Sequence, residues 1–256
     1  MINKKRRNVL GVIGVLLLTA CQSHQKQSQE KEGVASEVIP REFKPQIKYA
    51  QHFTVSVEEN YKAIIVGNPW VVGDTLASYL LYPKGNEEPA VEWAEFKIPI
   101  PLDSVVATSS PHIGFIGLLE ELDKIVGVAD DRYIFDSYVY EKVSQGTIAQ
   151  VGSLKNSNLE ILLDVSPQLV MKTGVDNVRN EDARLAEVGI PVSYNVEWME
   201  TSMLARAEWI KFVGAFFNKD AEADSIFRNV EKEYLKALSV TSNIHDRPSI
   251  MTGNNF

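Results

Sequence analysis

The chain of 256 residues has a single cysteine, only four histidines and no long apolar run after its first twenty residues. A disulfide needs two cysteines, so none can form within one chain. A bare zinc or manganese ion needs several converging histidine and carboxylate ligands, and four histidines are too few for such a site. No later apolar run is long enough to cross a bilayer.

Common catalytic motifs are missing as well. The sequence contains no G-x-S-x-G, P-loop, H-E-x-x-H or G-x-G-x-x-G pattern. Ser109 or Ser110 with His112 could suggest a nucleophile and its base, but residues of these types at one helix start serve better as caps. We therefore expect no enzyme activity, no catalytic residue and no cofactor.

The charge balance argues against a nucleic-acid partner. The formal net charge is −8, and residues 1–20 carry four basic residues and no acid, so the remainder carries −12. An acidic surface repels the phosphate backbone of nucleic acids. The hydrophobic content of 45% is sufficient for a core of one large domain or two small ones.

The N-terminus has the features of a secretion signal. Lys4-Lys5-Arg6-Arg7 is basic, Val9 to Ala20 is apolar but too short to span a bilayer, and Leu18-Thr19-Ala20-Cys21 resembles a bacterial lipobox. That resemblance implies a lipoprotein signal over residues 1–21 and lipidation of Cys21; the alternative is a plain secretory signal. It places the protein in the cell envelope, lipid-anchored on the periplasmic face of the inner or outer membrane. Residues 22–45, rich in Gln, Ser, Lys and Glu, have the composition of a disordered tether.

Residues 46–101 have a short, β-like pattern. Apolar stretches at 52–57, 63–66 and 78–82 are separated by turn sequences. They predict a small β-rich extension of three or four antiparallel strands, packed on the edge of the next domain. Trp70 and Trp93 could be ligand platforms, although aromatic residues in such a sheet usually belong to its core.

Residues 102–200 alternate between strand and helix patterns. Val105–Thr108 predicts a strand, Ser109-Ser110-Pro111-His112 a helix start, and Ile125–Val128 a second strand. After a long loop, Ser157-Asn158 caps a helix over 159–164, and a third strand follows at 168–171. This alternation predicts an α/β fold with a doubly wound, mostly parallel sheet. Ligands of such sheets bind outside the carboxyl ends of the strands, which selects segments 109–112, 129–135, 152–156 and 173–176.

The last part of the chain is mainly helical. A helix over 181–188 and a strand over 192–196 complete the first lobe, and helices over 203–217 and 221–238 make residues 201–241 a long helical linker. A new strand pattern starts at Ser249 with no partner to follow. We therefore interpret residues 242–256 as the start of a truncated second lobe.

The order of these parts resembles a known family over residues 103–256. It is similar to the substrate-binding proteins of iron-siderophore, haem and cobalamin ABC importers, whose two lobes are joined by one long helix. Pro167-Gln168-Leu169-Val170 stands where the family usually has Pro-Asp-Leu-Val, so Gln168 departs from the pattern. The resemblance is carried by Val105 to Pro111, Leu122 to Val128, Val151-Gly152 and Asn158-Leu159-Glu160.

The resemblance implies a set of functional residues. Glu160 matches the acid that docks the lobe onto arginines of the membrane permease, and its place in a first helical turn is electrostatically favourable. Tyr133 roughly matches an aromatic that packs on chelate faces. The implied cleft lining is Ser110, Pro111, His112, Arg132, Tyr133, Ser153, Leu154, Lys155, Thr173, Gly174 and Trp198.

The expected function follows from the resemblance. It implies a monomeric, membrane-anchored substrate-binding protein that delivers a chelated metal (a ferric siderophore, haem or cobalamin) to an ABC importer permease. The ligand then carries the metal, and no protein side chain needs to coordinate a bare ion. The alternative is a non-transport lipoprotein that uses the same lobe for partner docking or adhesion.

Overall fold

The computed structural model describes residues 44–129, 132, 134–153, 156–176, 179–241 and 249. Most of the predicted signal, tether and truncated second lobe therefore lies outside the described residues. The described part contains eleven strands and seven α-helices.

The N-terminal extension forms a four-stranded sheet in the order β1-β2-β3-β4. β1 (Phe53–Val57), β2 (Lys62–Gly67) and β3 (Thr75–Pro83) pair antiparallel, and β4 (Phe96–Ile100) pairs parallel with β3. The prediction of a strictly antiparallel extension was wrong for β4. Residues 84–95 carry the chain back along β3, so β4 can run in the same direction as its neighbour.

The second sheet is parallel and has five strands in the order β11-β10-β5-β6-β7. The chain begins in the middle at β5, moves outward to β6 and β7, and then returns to β5's other side with β10 and β11. This reversal confirms the predicted doubly wound sheet. The strands are β5 (Val105–Ala107), β6 (Ile125–Val128), β7 (Ala149–Gln150), β10 (Leu169–Thr173) and β11 (Val192–Asn195).

Helices connect the parallel strands, as crossover connections between parallel neighbours usually do. Three-residue 3-10 turns lie at Leu122–Lys124 and Glu197–Met199, and the short strands β8 (Gly152–Ser153) and β9 (Asn156–Ser157) form a small hairpin. The helices are α1 (Ser110–Leu118), α2 (Ser137–Ser144), α3 (Leu159–Val165), α4 (Arg179–Glu187), α5 (Met203–Glu208), α6 (Ile210–Phe216) and α7 (Asp220–Thr241).

Two helical predictions need correction. The loop expected between β6 and α3 contains α2 and β7. Asp136 caps α2 by accepting the Val139 amide at 3.0 Å, but Val139 is the helix's one buried residue, so the sequence has no apolar periodicity to reveal it. The single helix expected over 203–217 is divided at Trp209, whose amide donates to the carbonyl of Arg206, three residues back.

The extension covers one edge of the parallel sheet, the edge formed by β11. β11 is an edge strand, and the backbone amide of Tyr194 donates to the Tyr79 hydroxyl on β3 at 3.0 Å. Both tyrosines are buried. An uncovered edge strand would expose unpaired amides, so this contact both satisfies a donor and protects the edge. The predicted packing of the extension on the sheet edge is thereby confirmed.

An aromatic cluster fills the space between the extension and the helices. The ring of Phe53 lies 4.8 Å from that of Trp209, Tyr79 lies 6.1 Å from Phe212, and Phe212 lies 5.2 Å from Phe216. All five side chains are buried. Aromatic pairs at these separations contribute about 0.5–1.5 kcal/mol each beyond the burial of their area.

Two buried carboxylates hold the start of the extension. Glu208 accepts the backbone amides of Lys48 (2.9 Å), Tyr49 (2.6 Å) and Ala50 (2.9 Å), together with the ammonium of Lys211 (3.1 Å). Such charge-assisted bonds are stronger than bonds between neutral groups.

Glu200 continues the same pattern along the chain. Its carboxylate accepts the amides of Gln51 (3.0 Å) and His52 (3.1 Å) and the indole N–H of Trp209 (3.1 Å). Five consecutive backbone amides, from residue 48 to residue 52, are therefore bound by two side chains. Glu200 lies just before α5, and Glu208 is the last residue of α5.

Replacement of Glu208 by alanine should strongly destabilise the protein. The substitution removes the acceptor of three amides and leaves Lys211 without one of its two carboxylate partners. Breaking a buried charged pair costs about 3–5 kcal/mol. Urea unfolding followed by circular dichroism measures the change in the free energy of unfolding.

The matched control is Glu233→Ala on α7. The Glu233 side chain is 67% exposed and its nearest partner is Lys236 at 3.6 Å. Surface pairs of this kind are worth about 0–1 kcal/mol. Equal losses for the two variants would contradict the structural role of Glu208.

Candidate functional site

The parallel sheet reverses its direction of growth between β5 and β10, and the crevice beyond their carboxyl ends is the expected ligand position. Thr108, just after β5, donates its amide (3.1 Å) and its hydroxyl (2.7 Å) to the carbonyl of Met171 on β10. Thr108 is buried. These two bonds fix the distance between the strand ends that frame the crevice.

The first predicted segment divides into outward-facing and inward-facing residues. Pro111 is exposed and Ser110 is partly exposed at the start of α1. Ser109 occupies the N-cap position, but its hydroxyl makes no capping bond and has no hydrogen-bond partner within the described ranges. Ser110 and Pro111 thus lie where a ligand in the crevice could contact them.

His112 does not line the crevice, contrary to the sequence-based prediction. Its side chain is completely buried, because the first turn of α1 directs it into the interior. Neither ring nitrogen has a partner of good hydrogen-bond geometry among the described residues. Burial lowers the pKa of His112 to about 3, and the nearby Met171 carbonyl opposes this only partly.

Thr173, Gly174 and Trp198 lie together at the carboxyl end of β10. The Gly174 amide donates to the carbonyl of Asn195 at 2.8 Å, and the Gly174 carbonyl accepts the indole N–H of Trp198 at 3.1 Å. Thr173 is partly buried and the Trp198 side chain is 43% exposed. The structure therefore brings these three predicted residues together and leaves the Trp198 indole partly exposed to solvent.

Position 174 requires a glycine. A Cβ atom there would lie 2.5 Å from a methyl carbon of Val196 and 3.3 Å from a methyl carbon of Leu76 on β3. Such distances are shorter than van der Waals contact. The extension and the parallel sheet consequently meet at the ligand edge itself.

The remaining predicted residues lie on other segments or outside the described part of the chain. Arg132 is exposed and Ser153 belongs to β8, whereas Tyr133, Leu154, Lys155 and the lipidation candidate Cys21 lie outside the described residues. Glu160 is exposed in the first turn of α3, where Asn158 accepts the amides of Glu160 (3.1 Å) and Ile161 (3.3 Å). The predicted capping by Asn158 is confirmed, and the Glu160 side chain is accessible.

Two features of this edge did not follow from the sequence: the position of Trp70, which was considered as a ligand platform or a core residue without a place in the fold, and the buried pair Asn195 and Glu197. The ring of Trp70, in the loop between β2 and β3, lies 6.3 Å from that of Trp198. Asn195 and Glu197 are buried with side-chain atoms that lack partners in the described part of the chain. Burial raises the pKa of Glu197, and a hydrogen bond to its own backbone and the charge of Arg206 oppose this rise. No local signal links Trp70 to Trp198, because they are distant in sequence.

A separate hollow of about 410 Å³ lies beside α7. Lys48, Lys211 and Arg228 contribute to its lining, but each already pairs with Asp224 or Glu231, at distances of 2.5–3.2 Å. We therefore place the candidate site at the sheet edge, where polar and aromatic groups face solvent.

The sequence profile of the periplasmic binding proteins matches residues 105–255, more than half of the chain. The chain belongs to the periplasmic binding protein family. The profile begins at the first residue of β5, so the four-stranded extension precedes the part that defines the family. The family is one of binding proteins, not of enzymes.

Known proteins similar to this periplasmic binding protein include a lipoprotein and two binding proteins of known structure. An uncharacterised lipoprotein of Methanocaldococcus jannaschii is 28% identical over 218 residues, which are 77% of this chain and 52% of the relative. The petrobactin-binding protein from Bacillus subtilis is 16% identical with a TM-score of 0.48, covering 62% of this chain and 55% of its own. The vitamin B12 binding protein of Vibrio cholerae is 15% identical with a TM-score of 0.42, covering 57% and 53%.

The chain spans about half the length of the relatives it matches. Across the ranges that the structure covers, no helix is both long enough and apolar enough to cross a membrane.

The buried His112 should make stability depend on pH. Its folded pKa of about 3 is below its unfolded value of 6.5, so the unfolded chain binds more protons between these limits and stability falls as the pH drops through 6.5. Between about pH 7.5 and about pH 5.5 this contribution should cost about 1.4 kcal/mol. Urea unfolding at several pH values measures it.

The variant His112→Leu isolates this contribution, since it removes the imidazole and keeps every other titrating group. Its stability should decrease less than that of the wild type over the same pH range. If both proteins lose the same stability, the pH dependence does not come from His112.

Proposed function

We propose that this periplasmic binding protein is a membrane-anchored substrate-binding protein that presents a chelated metal to an ABC importer. The ligand class is a ferric siderophore, haem or cobalamin. The observation that carries the proposal is the switch point of the sheet between β5 and β10, in a chain of this family, with Ser110 and Pro111 after β5 and with Thr173 and the partly exposed Trp198 near the end of β10. Crevices at this position are the usual ligand sites of doubly wound sheets.

The groups at this edge suit a metal that arrives already chelated. An indole, a proline ring and hydroxyl groups bind the organic surface of a ligand by packing and neutral hydrogen bonds. Transition-metal ions instead select imidazole, thiolate and carboxylate ligands. The one histidine of the crevice segment, His112, is buried and faces away from solvent.

Anchoring at the membrane would come from Cys21. The lipobox-like sequence and the lipoprotein relative support this assignment. Several acyl chains on one residue anchor a protein firmly, since each buried methylene contributes about 0.8 kcal/mol. The polar residues that follow Cys21 would then let the folded part reach a partner permease.

Titration of the purified protein with haem, cyanocobalamin and several ferric chelates tests the proposal. We expect saturable quenching of tryptophan fluorescence by at least one of them, because Trp198 and Trp70 lie at the crevice. The metal-free chelators serve as controls. A folded protein that binds none of these compounds would refute the transport function and would favour the docking or adhesion alternative.

Glu160 should act in transport and not in ligand binding. It is exposed on α3, and a bidentate pair with a permease arginine would add about 1.5–3 kcal/mol to docking. Glu160→Ala should therefore reduce uptake of labelled ligand roughly tenfold, measured in cells that carry the cognate importer. The affinity of the purified protein for the ligand should remain unchanged.

Asp164→Ala is the matched control, because Asp164 is an exposed acid at the other end of the same helix. Its uptake should equal that of the wild type. If Glu160→Ala loses affinity in proportion to uptake, Glu160 belongs to the ligand site and not to a docking surface.

A further inference from the structure

The loop between β2 and β3 lies at the ligand edge although it belongs to the extension. We name residues 68–74 the Trp70 loop. Its Trp70 ring lies 6.3 Å from the Trp198 ring at an interplanar angle of 49°, and Trp198 donates to the carbonyl of Gly174 at the end of β10. The loop is thus in contact with the residues that form one wall of the crevice.

The loop is held in shape by its own hydrogen bonds. The Asn68 side chain accepts the amides of Trp70 (3.0 Å) and Val71 (3.2 Å), and its amide group donates to the Asp74 carboxylate at 2.9 Å. The backbone of Asn68 also donates to the carbonyl of Asp74 at 2.9 Å. Gly73, with a φ of +82°, provides the left-handed turn that closes the loop.

The tip of this ordered loop exposes apolar side chains. Val71 is 54% exposed and Val72 is completely exposed, while Val175, next to Gly174, is 41% exposed on the sheet side of the same edge. Residues 69–73 carry no charge. Exposed apolar groups that are fixed in position around a crevice are characteristic of binding sites.

We propose that the Trp70 loop is a specificity wall of the ligand site and selects chelates that present a flat, apolar ring face. Two indoles and two valines offer packing area and no charge, which suits a tetrapyrrole or an aryl-bearing siderophore. A trihydroxamate without aromatic rings gains little from such a wall. This inference rests on the proposed function, and it assigns a role to the extension, which precedes the family-defining residues.

Two variants test the wall. Trp70→Leu removes one indole, and Val71→Ser with Val72→Ser makes the exposed tip polar. We expect each to weaken binding of haem, cyanocobalamin or a ferric catecholate by about tenfold, while binding of a ferric trihydroxamate changes by less than about twofold. Isothermal titration calorimetry measures these affinities, and thermal unfolding confirms that each variant is folded.

Trp93→Leu is the matched control. Trp93 is also a partly exposed indole of the extension, but it packs on Tyr61, which precedes β2, whereas Trp70 follows β2. The two indoles therefore lie at opposite ends of that strand, and the control should bind every chelate like the wild type.

The outcomes separate this inference from the proposed function. If the wild type binds ring-bearing chelates and both variants bind them equally well, the wall is refuted and the transport function stands. If the wild type binds only the trihydroxamate, the selectivity is likewise refuted. If it binds no chelate, both proposals fail. A tenfold loss confined to ring-bearing chelates supports the specificity wall. Which of these chelates the wild type binds then shows whether the ligand is a tetrapyrrole or a catecholate.

Discussion

The attachment of residues 48–52 to Glu200 and Glu208 determines how the rest of this structure is arranged. Two carboxylates inside the protein would be costly without compensation, and five consecutive backbone amides, an indole N–H and a lysine provide it. The chain enters β1 directly from this segment. The position of β1 sets the positions of β2 and β3, and thereby places Tyr79 on the open edge of β11 and the Trp70 loop beside Trp198.

The candidate ligand edge is built from two separate parts of the chain. One side consists of segments that follow the parallel strands, as expected for a doubly wound sheet. The other side includes a loop of an independent sheet. The two are joined by packing of Trp70 on Trp198 and by the close approach of Leu76 and Val196 at Gly174.

Local chemistry made much of the fold predictable from the sequence. Pro111 marked the start of α1, Asn158 capped α3, and the alternation of strands and helices indicated the doubly wound sheet. The helix α2 and the strand β7 were not predictable, since α2 buries only Val139 and β7 has two residues. The inward direction of His112 and the contact between Trp70 and Trp198 could not be predicted either, because they depend on how distant segments pack.

The glycine at position 174 has a mechanical consequence. Leu76 of β3 and Val196, the residue after β11, both lie so near it that an added Cβ atom would clash with Val196 and crowd Leu76. Close neighbours from both sheets restrict the end of β10, and a binding surface that is restricted before a ligand arrives loses little entropy when it is occupied.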